Sequence, residues 1–94
     1  MSESGRAMVE ALLQTFMNKD LEASLAYFAD DALVYDLHYP IPTMKGKAAI
    51  RRGFEWGLSN MEKPGFTVCH HWSDSTSGVI EADTHHIFKG GTTI

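Results

Sequence analysis

The chain has 94 residues, 44 % of them hydrophobic and 21 % charged, with a formal net charge of −4. That length fits one domain, and the balance is that of a globular rather than a disordered chain. A net negative charge excludes binding to nucleic acid through a broad basic face, and no apolar run reaches the roughly 20 residues that span a bilayer.

The first residues, MSESGRAMVE, lack the basic-then-apolar pattern of a secretory signal. The one cysteine, Cys69, excludes an internal disulfide and a cysteine-based zinc site. Together these predict a cytoplasmic chain. A domain this small buries only about 60–65 % of its unfolded surface, so pairing with a second copy would add stability.

Residues 5–18 carry Val9, Leu12, Leu13, Phe16 and Met17 in one helical stripe. Asp20 is a good N-cap for a second, short helix with the stripe Leu21, Ser24, Leu25 and Phe28. A strand is expected over residues 32–38, and the two prolines of Tyr39-Pro40-Ile41-Pro42-Thr43 make the next segment a loop. Gly46 opens a third helix to about Asn60, with Ile50, Phe54, Gly57, Leu58 and Met61 on its buried face. Gly53 and Gly57, four apart on this helix, leave room for another backbone to come close.

After the break at Pro64-Gly65, two strands are expected, Phe66 to Trp72 and Val79 to Phe88, joined by a loop over 73–77. That loop pairs even with even positions, placing Phe66, Val68, His70 and Trp72 with Ile80, Ala82, Thr84, His86 and Phe88 on one mostly apolar face. His70 then lies opposite Ile80 and roughly 20 Å from His86 at about 3.3 Å per residue. The two histidines therefore do not share a metal, and no metal or cofactor is expected. Gly90-Gly91 reads as a turn into a further strand at Thr92-Thr93-Ile94.

The segment Asp20-Leu21-Glu22, then Tyr27-Phe28-Ala29-Asp30-Asp31-Ala32, Asp36 and Gly46-Lys47-Ala48-Ala49-Ile50 resembles the SnoaL-like polyketide cyclases. It is also similar to the ketosteroid isomerases and limonene-epoxide hydrolases of the nuclear-transport-factor-2-like superfamily. The resemblance implies an α+β cone, in which N-terminal helices pack on a curved antiparallel sheet around a pocket. Two or more C-terminal strands that usually complete that sheet are absent from this sequence. The resemblance covers residues 8–60 well and 66–89 more loosely, and is far more specific for fold than for reaction.

By that resemblance Asp36 matches the proton-shuttling aspartate of the isomerases. The isomerase tyrosine of the first helix falls near Leu12, and the hydrolase Arg-x-Asp pair near Thr84 and His86, so neither motif is intact. The candidate catalytic residues are Asp36, as a base raised in pKa by an apolar pocket, and His86, as donor or orienter. Each has a plainer alternative, a hydrogen-bonded carboxylate at a strand end and a buried histidine bonded to backbone. Candidate substrate-binding residues are Val34, His38, Phe16, Trp56, His70, Trp72, Thr84 and Phe88, with core packing the alternative for the aromatic ones. His38 and Tyr39 sit at the expected pocket mouth. Lys45, Lys47, Arg51 and Arg52 form a small basic cluster at the start of the third helix, which reads as a solvated face.

Two functions follow. One is an isomerase, cyclase or hydrolase that acts on a small apolar molecule without a cofactor. The other is a non-catalytic ligand-binding or dimerisation module of the same fold. In either case a homodimer is expected through the outer sheet face with Val79 and Ile87, without nucleic-acid or membrane partners. A third reading, motivated by the stop inside an expected strand, is a shortened piece of a larger protein.

Overall fold

The computed structural model describes residues 2–94. The order of elements is α1 (Ser2–Met17), α2 (Leu21–Leu25), β1 (Leu33–Tyr35), β2 (Thr43–Lys45), α3 (Lys47–Asn60), β3 (Met61–Lys63), β4 (Phe66–Ser73), β5 (Gly78–Thr84) and β6 (Ile87–Phe88). The strands form three antiparallel ribbons, β1–β2, β3–β6 and β4–β5. Helices packed on antiparallel strands are the α+β arrangement that the sequence implies.

The joint between α1 and α2 is built from local chemistry. Asp20 N–H donates to the Thr15 carbonyl and Lys19 N–H to that of Phe16, both at 2.9 Å. This closes the end of α1 with Lys19 in the left-handed region at φ 58°. The next residue caps α2, its Oδ1 accepting from Ala23 N–H at 3.1 Å. The fully buried Ser24 hydroxyl lies 2.9 Å from that of Thr15, tying the two helices together.

The core consists of Phe16, Leu25, Met44, Ile50, Phe54, Leu58 and Met61. Fully burying an aliphatic side chain such as Ile50 contributes about 1.5–3 kcal/mol. The stripes of α1, α2 and α3 meet here, as their spacing requires. Gly53 and Gly57 do admit close neighbours, but these are side chains. Met44 Sδ occupies the space beside Gly53, and the Tyr39 ring lies over both glycines.

Three local expectations are corrected. The first strand stops at Tyr35, and Thr43, the last residue of the expected loop, begins an unexpected strand, β2. The Asp36 N–H donates to the Pro42 carbonyl at 2.9 Å, so the proline loop folds back into a ribbon. Met61 leaves the helix and begins β3, yet remains buried.

The second correction is to the strand expected over 79–88, which breaks at His85-His86. Opposite the break stands Pro64-Gly65. Proline has no N–H for the ladder, so the long hairpin splits into β4–β5 and β3–β6.

The third concerns the register of β4–β5. Phe66 pairs with Thr84 and Val68 with Ala82, as even-with-even pairing requires. A β-bulge between Val68 and His70 then shifts the pairing, so that His70 faces Glu81 and His71 faces Ile80. Beyond Cys69 the parity is reversed. His71 and Ser73 replace His70 and Trp72 on the inner face beside α1. Ser73 pairs with Gly78, shortening the connecting loop to residues 74–77, where Asp74 Oδ1 accepts from Thr76 and Ser77 N–H, each at 2.8 Å.

Asp20→Ala should destabilise the fold by about 1 kcal/mol through loss of the N-cap, read from urea unfolding midpoints. Deleting Cys69 removes the extra residue while keeping the faces on either side. The deletion variant should fold, with Trp72 as accessible to acrylamide quenching as before. Burial of Trp72 in that variant would refute the bulge.

Candidate functional site

Asp36 follows β1 at the start of the proline loop. Its Oδ1 accepts from the His38 backbone N–H at 2.9 Å and lies 3.0 Å from His38 Nδ1. The carboxylate is 40 % exposed and the imidazole 91 %. Asp36 is therefore oriented by His38, two residues away, and not by His86. Among the described residues its Oδ2 accepts no hydrogen bond, which leaves one oxygen open to an incoming group.

His86 is placed by the break in the hairpin. Its Nδ1 accepts from the Gly65 N–H at 3.0 Å, taking a donor that the interrupted ladder leaves over. The proton of the neutral ring then sits on Nε2. The ring packs edge-on to Phe66, with centroids 4.8 Å apart, and to Phe88 at 6.2 Å. Burial, reinforced by the imidazoles of His85 and His38, holds the His86 pKa below its ordinary value. Gly65 is required by close approach, since a Cβ there would meet the ring and carbonyl of His85.

Tyr39 emerges as a member of this region that sequence reasoning placed only at the mouth. Burial, and after it the charge of Asp36, push its hydroxyl up to about 12, so it stays protonated at neutral pH. Its ring contacts Phe54 at 6.4 Å and Trp56 at 5.7 Å. The helical spacing of Gly53 and Gly57 was the available signal that a bulky group lies over α3.

The remaining candidates separate. Val34 is half-buried opposite Met44 in the β1–β2 ribbon. Phe16 is core, edge-on to Phe54 at 5.6 Å and Phe66 at 6.0 Å. Phe88 packs against the same core from β6. Thr84 ends β5, exposed, opposite Phe66. Trp56, 43 % exposed, borders a groove against the proline loop.

His70 and Trp72 are on the outer face, contrary to the uninterrupted register, because the bulge at Cys69 intervenes. There they stack, 5.6 Å apart, and His70 Nδ1 lies 2.7 Å from Glu81 Oε1. Cys69 shares that face, its thiol pushed up by desolvation and by Asp83.

The comparisons identify the family and the fold. A SnoaL-like domain family model matches residues 9–94, and the chain belongs to that family. Among solved structures, a protein with a ketosteroid isomerase-like fold from Catenulispora acidiphila, in complex with trimethylamine, is similar at 23 % identity and TM-score 0.78. That match covers 93 % of this chain and 67 % of the other. Rv0760c from Mycobacterium tuberculosis, in complex with estradiol-17β-hemisuccinate, is 21 % identical with TM-score 0.76, covering 93 % and 72 %. A computationally designed 17-OHP binder is 22 % identical with TM-score 0.77, covering 92 % and 71 %. The chain spans about two thirds of the length of the first structures it matches. None of the curated proteins matches it.

The depressed His86 value sets a pH dependence. The folded state keeps this ring neutral, so the unfolded chain binds the proton first as pH falls. The stabilisation is full above the ordinary histidine value of 6.5 and is lost as pH drops through the lower folded value. His86→Asn keeps an acceptor near the Nδ1 position without a titration. Urea midpoints measured at neutral and mildly acidic pH should fall in the wild type, and fall less in this variant.

Proposed function

We propose that this domain binds a small apolar molecule and moves a proton on it, with Asp36 as the base. The observation that carries this reading is the Asp36–His38 pair. Two hydrogen bonds from one residue fix Oδ1, and Oδ2 is left free to take a proton. His38 is the orienting group, the role sequence reasoning gave to His86. Neutral His86, with Phe66 and Phe88, supplies an apolar wall carrying one N–H donor.

For a β,γ-unsaturated ketone, Asp36 would remove a proton from the carbon between the carbonyl and the alkene. It would return that proton to the far alkene carbon, leaving a conjugated enone and the carboxylate regenerated. Steroid ligands on two similar folds support an apolar, ring-containing substrate class. We propose further that two copies pair through the outer sheet face, where Trp72 and Val79 face each other across β4–β5 and are 56 % and 63 % exposed.

A second reading, a ligand-binding module without catalysis, is favoured by Leu12. It stands where the isomerases carry a tyrosine and has no proton to donate to an oxyanion.

5-Androstene-3,17-dione separates the two. Binding is read by calorimetry and isomerisation by the absorbance of the conjugated enone. The enzyme reading expects conversion that drops at least about 100-fold in Asp36→Asn, with steroid affinity kept within about twofold. Binding with no conversion in the wild type would establish the module instead. Absence of binding would overturn both.

A further inference from the structure

We infer that the groove between α3 and the proline loop is a second binding site, one that takes a small aromatic carboxylate. Neither Asp36 nor His86 lines it, and Tyr39 is the residue it shares with the Asp36 region. The groove holds about 610 Å³, within the roughly 300–1,000 Å³ usual for small-molecule sites. Its apolar surface comes from Tyr39, Ile41, Met44 and Trp56, and among the described residues its charged lining is Lys45 and Arg52.

The charge arrangement gives the site its selectivity. The basic cluster at the start of α3 is divided by the fold. Arg51 is held by Glu22 through its two terminal guanidinium nitrogens, and Lys47 reaches Asp30 at 3.8 Å. Lys45 and Arg52 form no ion pair among the described residues. Of the four cations in that cluster, the two left without carboxylates among the described residues are the two that border an apolar groove. A guanidinium presents a planar pair of donors that matches a carboxylate. Trp56, tilted against Tyr39 at the groove wall, offers an indole face on which a flat ring stacks. An apolar ring with one carboxylate satisfies both features. A neutral ring leaves the cations unused, and a bare inorganic anion leaves the apolar wall unused.

The test uses the whole chain, with 2-naphthoate as probe and neutral 2-naphthamide as its isostere. The two tryptophan indole N–H signals are followed by ¹H–¹⁵N NMR and assigned with Trp72→Phe. Expected is a saturable shift of the Trp56 signal by 2-naphthoate, with at least tenfold weaker binding of 2-naphthamide. Arg52→Gln and Lys45→Gln, both at exposed positions, should each weaken 2-naphthoate severalfold and leave 2-naphthamide unchanged. Equal affinity for acid and amide, shifts at Trp72 alone, or indifference to both substitutions would each overturn the inference. The amide comparison is made on the wild type and so does not depend on the variants folding. Asp36→Asn should leave 2-naphthoate binding unaltered, so loss of the steroid reading and loss of this one remain distinguishable.

Discussion

The bent hairpin turns on one hydrogen bond, from the Gly65 N–H to His86 Nδ1. Pro64 brings no donor to the ladder, and the hairpin must bend where it stands. Gly65 is buried, so its N–H needs a partner inside the protein; an unpaired buried donor costs about 1–3 kcal/mol. The His85 N–H returns to the Gly65 carbonyl at 3.0 Å, and the His86 ring takes the remaining donor. The strands on either side can then run in different directions around the helices. The break thus leaves both the N–H and the carbonyl of Gly65 paired.

The same bond decides what His86 can do chemically. An imidazole that accepts at Nδ1 is neutral, and protonating that nitrogen would break the join between the two halves of the hairpin. His86 thus contributes structure first, and to any ligand it offers only its Nε2–H. Asp36 and His38 sit instead on a loop and are tied to each other. Rigid elements hold both ends of that loop through β1, β2 and the bond between Asp36 and Pro42.

The aromatic residues sort by the same logic of space. Phe16, Phe54, Phe28 and Phe66 meet edge to face and fill the interior. Tyr39 reaches α3 only because Gly53 and Gly57 present no side chains there. Its ring closes the core on one side and forms a wall of the outer groove with Trp56 on the other. One residue therefore borders both the Asp36 region and the groove, yet the two regions differ in charge. One is built around a carboxylate and the other around two cations.

Legible in the sequence were α1 and α3 with their stripes, the start of α2 at its Asp20 cap, and the α+β class. These depend on residues near one another along the chain, where periodicity and capping are read directly. The turn at Gly90-Gly91 was legible in the same way. The face that each residue of β4 presents was beyond the sequence. A strand has period two, so the one extra residue at Cys69 reverses every assignment beyond it. No local signal marks a bulge in Thr67-Val68-Cys69-His70. The partner of His86 was equally hidden, because it is a backbone N–H 21 residues away. Which of the four clustered cations remain unpaired depended on Glu22 and Asp30, brought to α3 only by tertiary packing. Alternation and capping are local, whereas register, pairing and charge neutralisation belong to the folded chain.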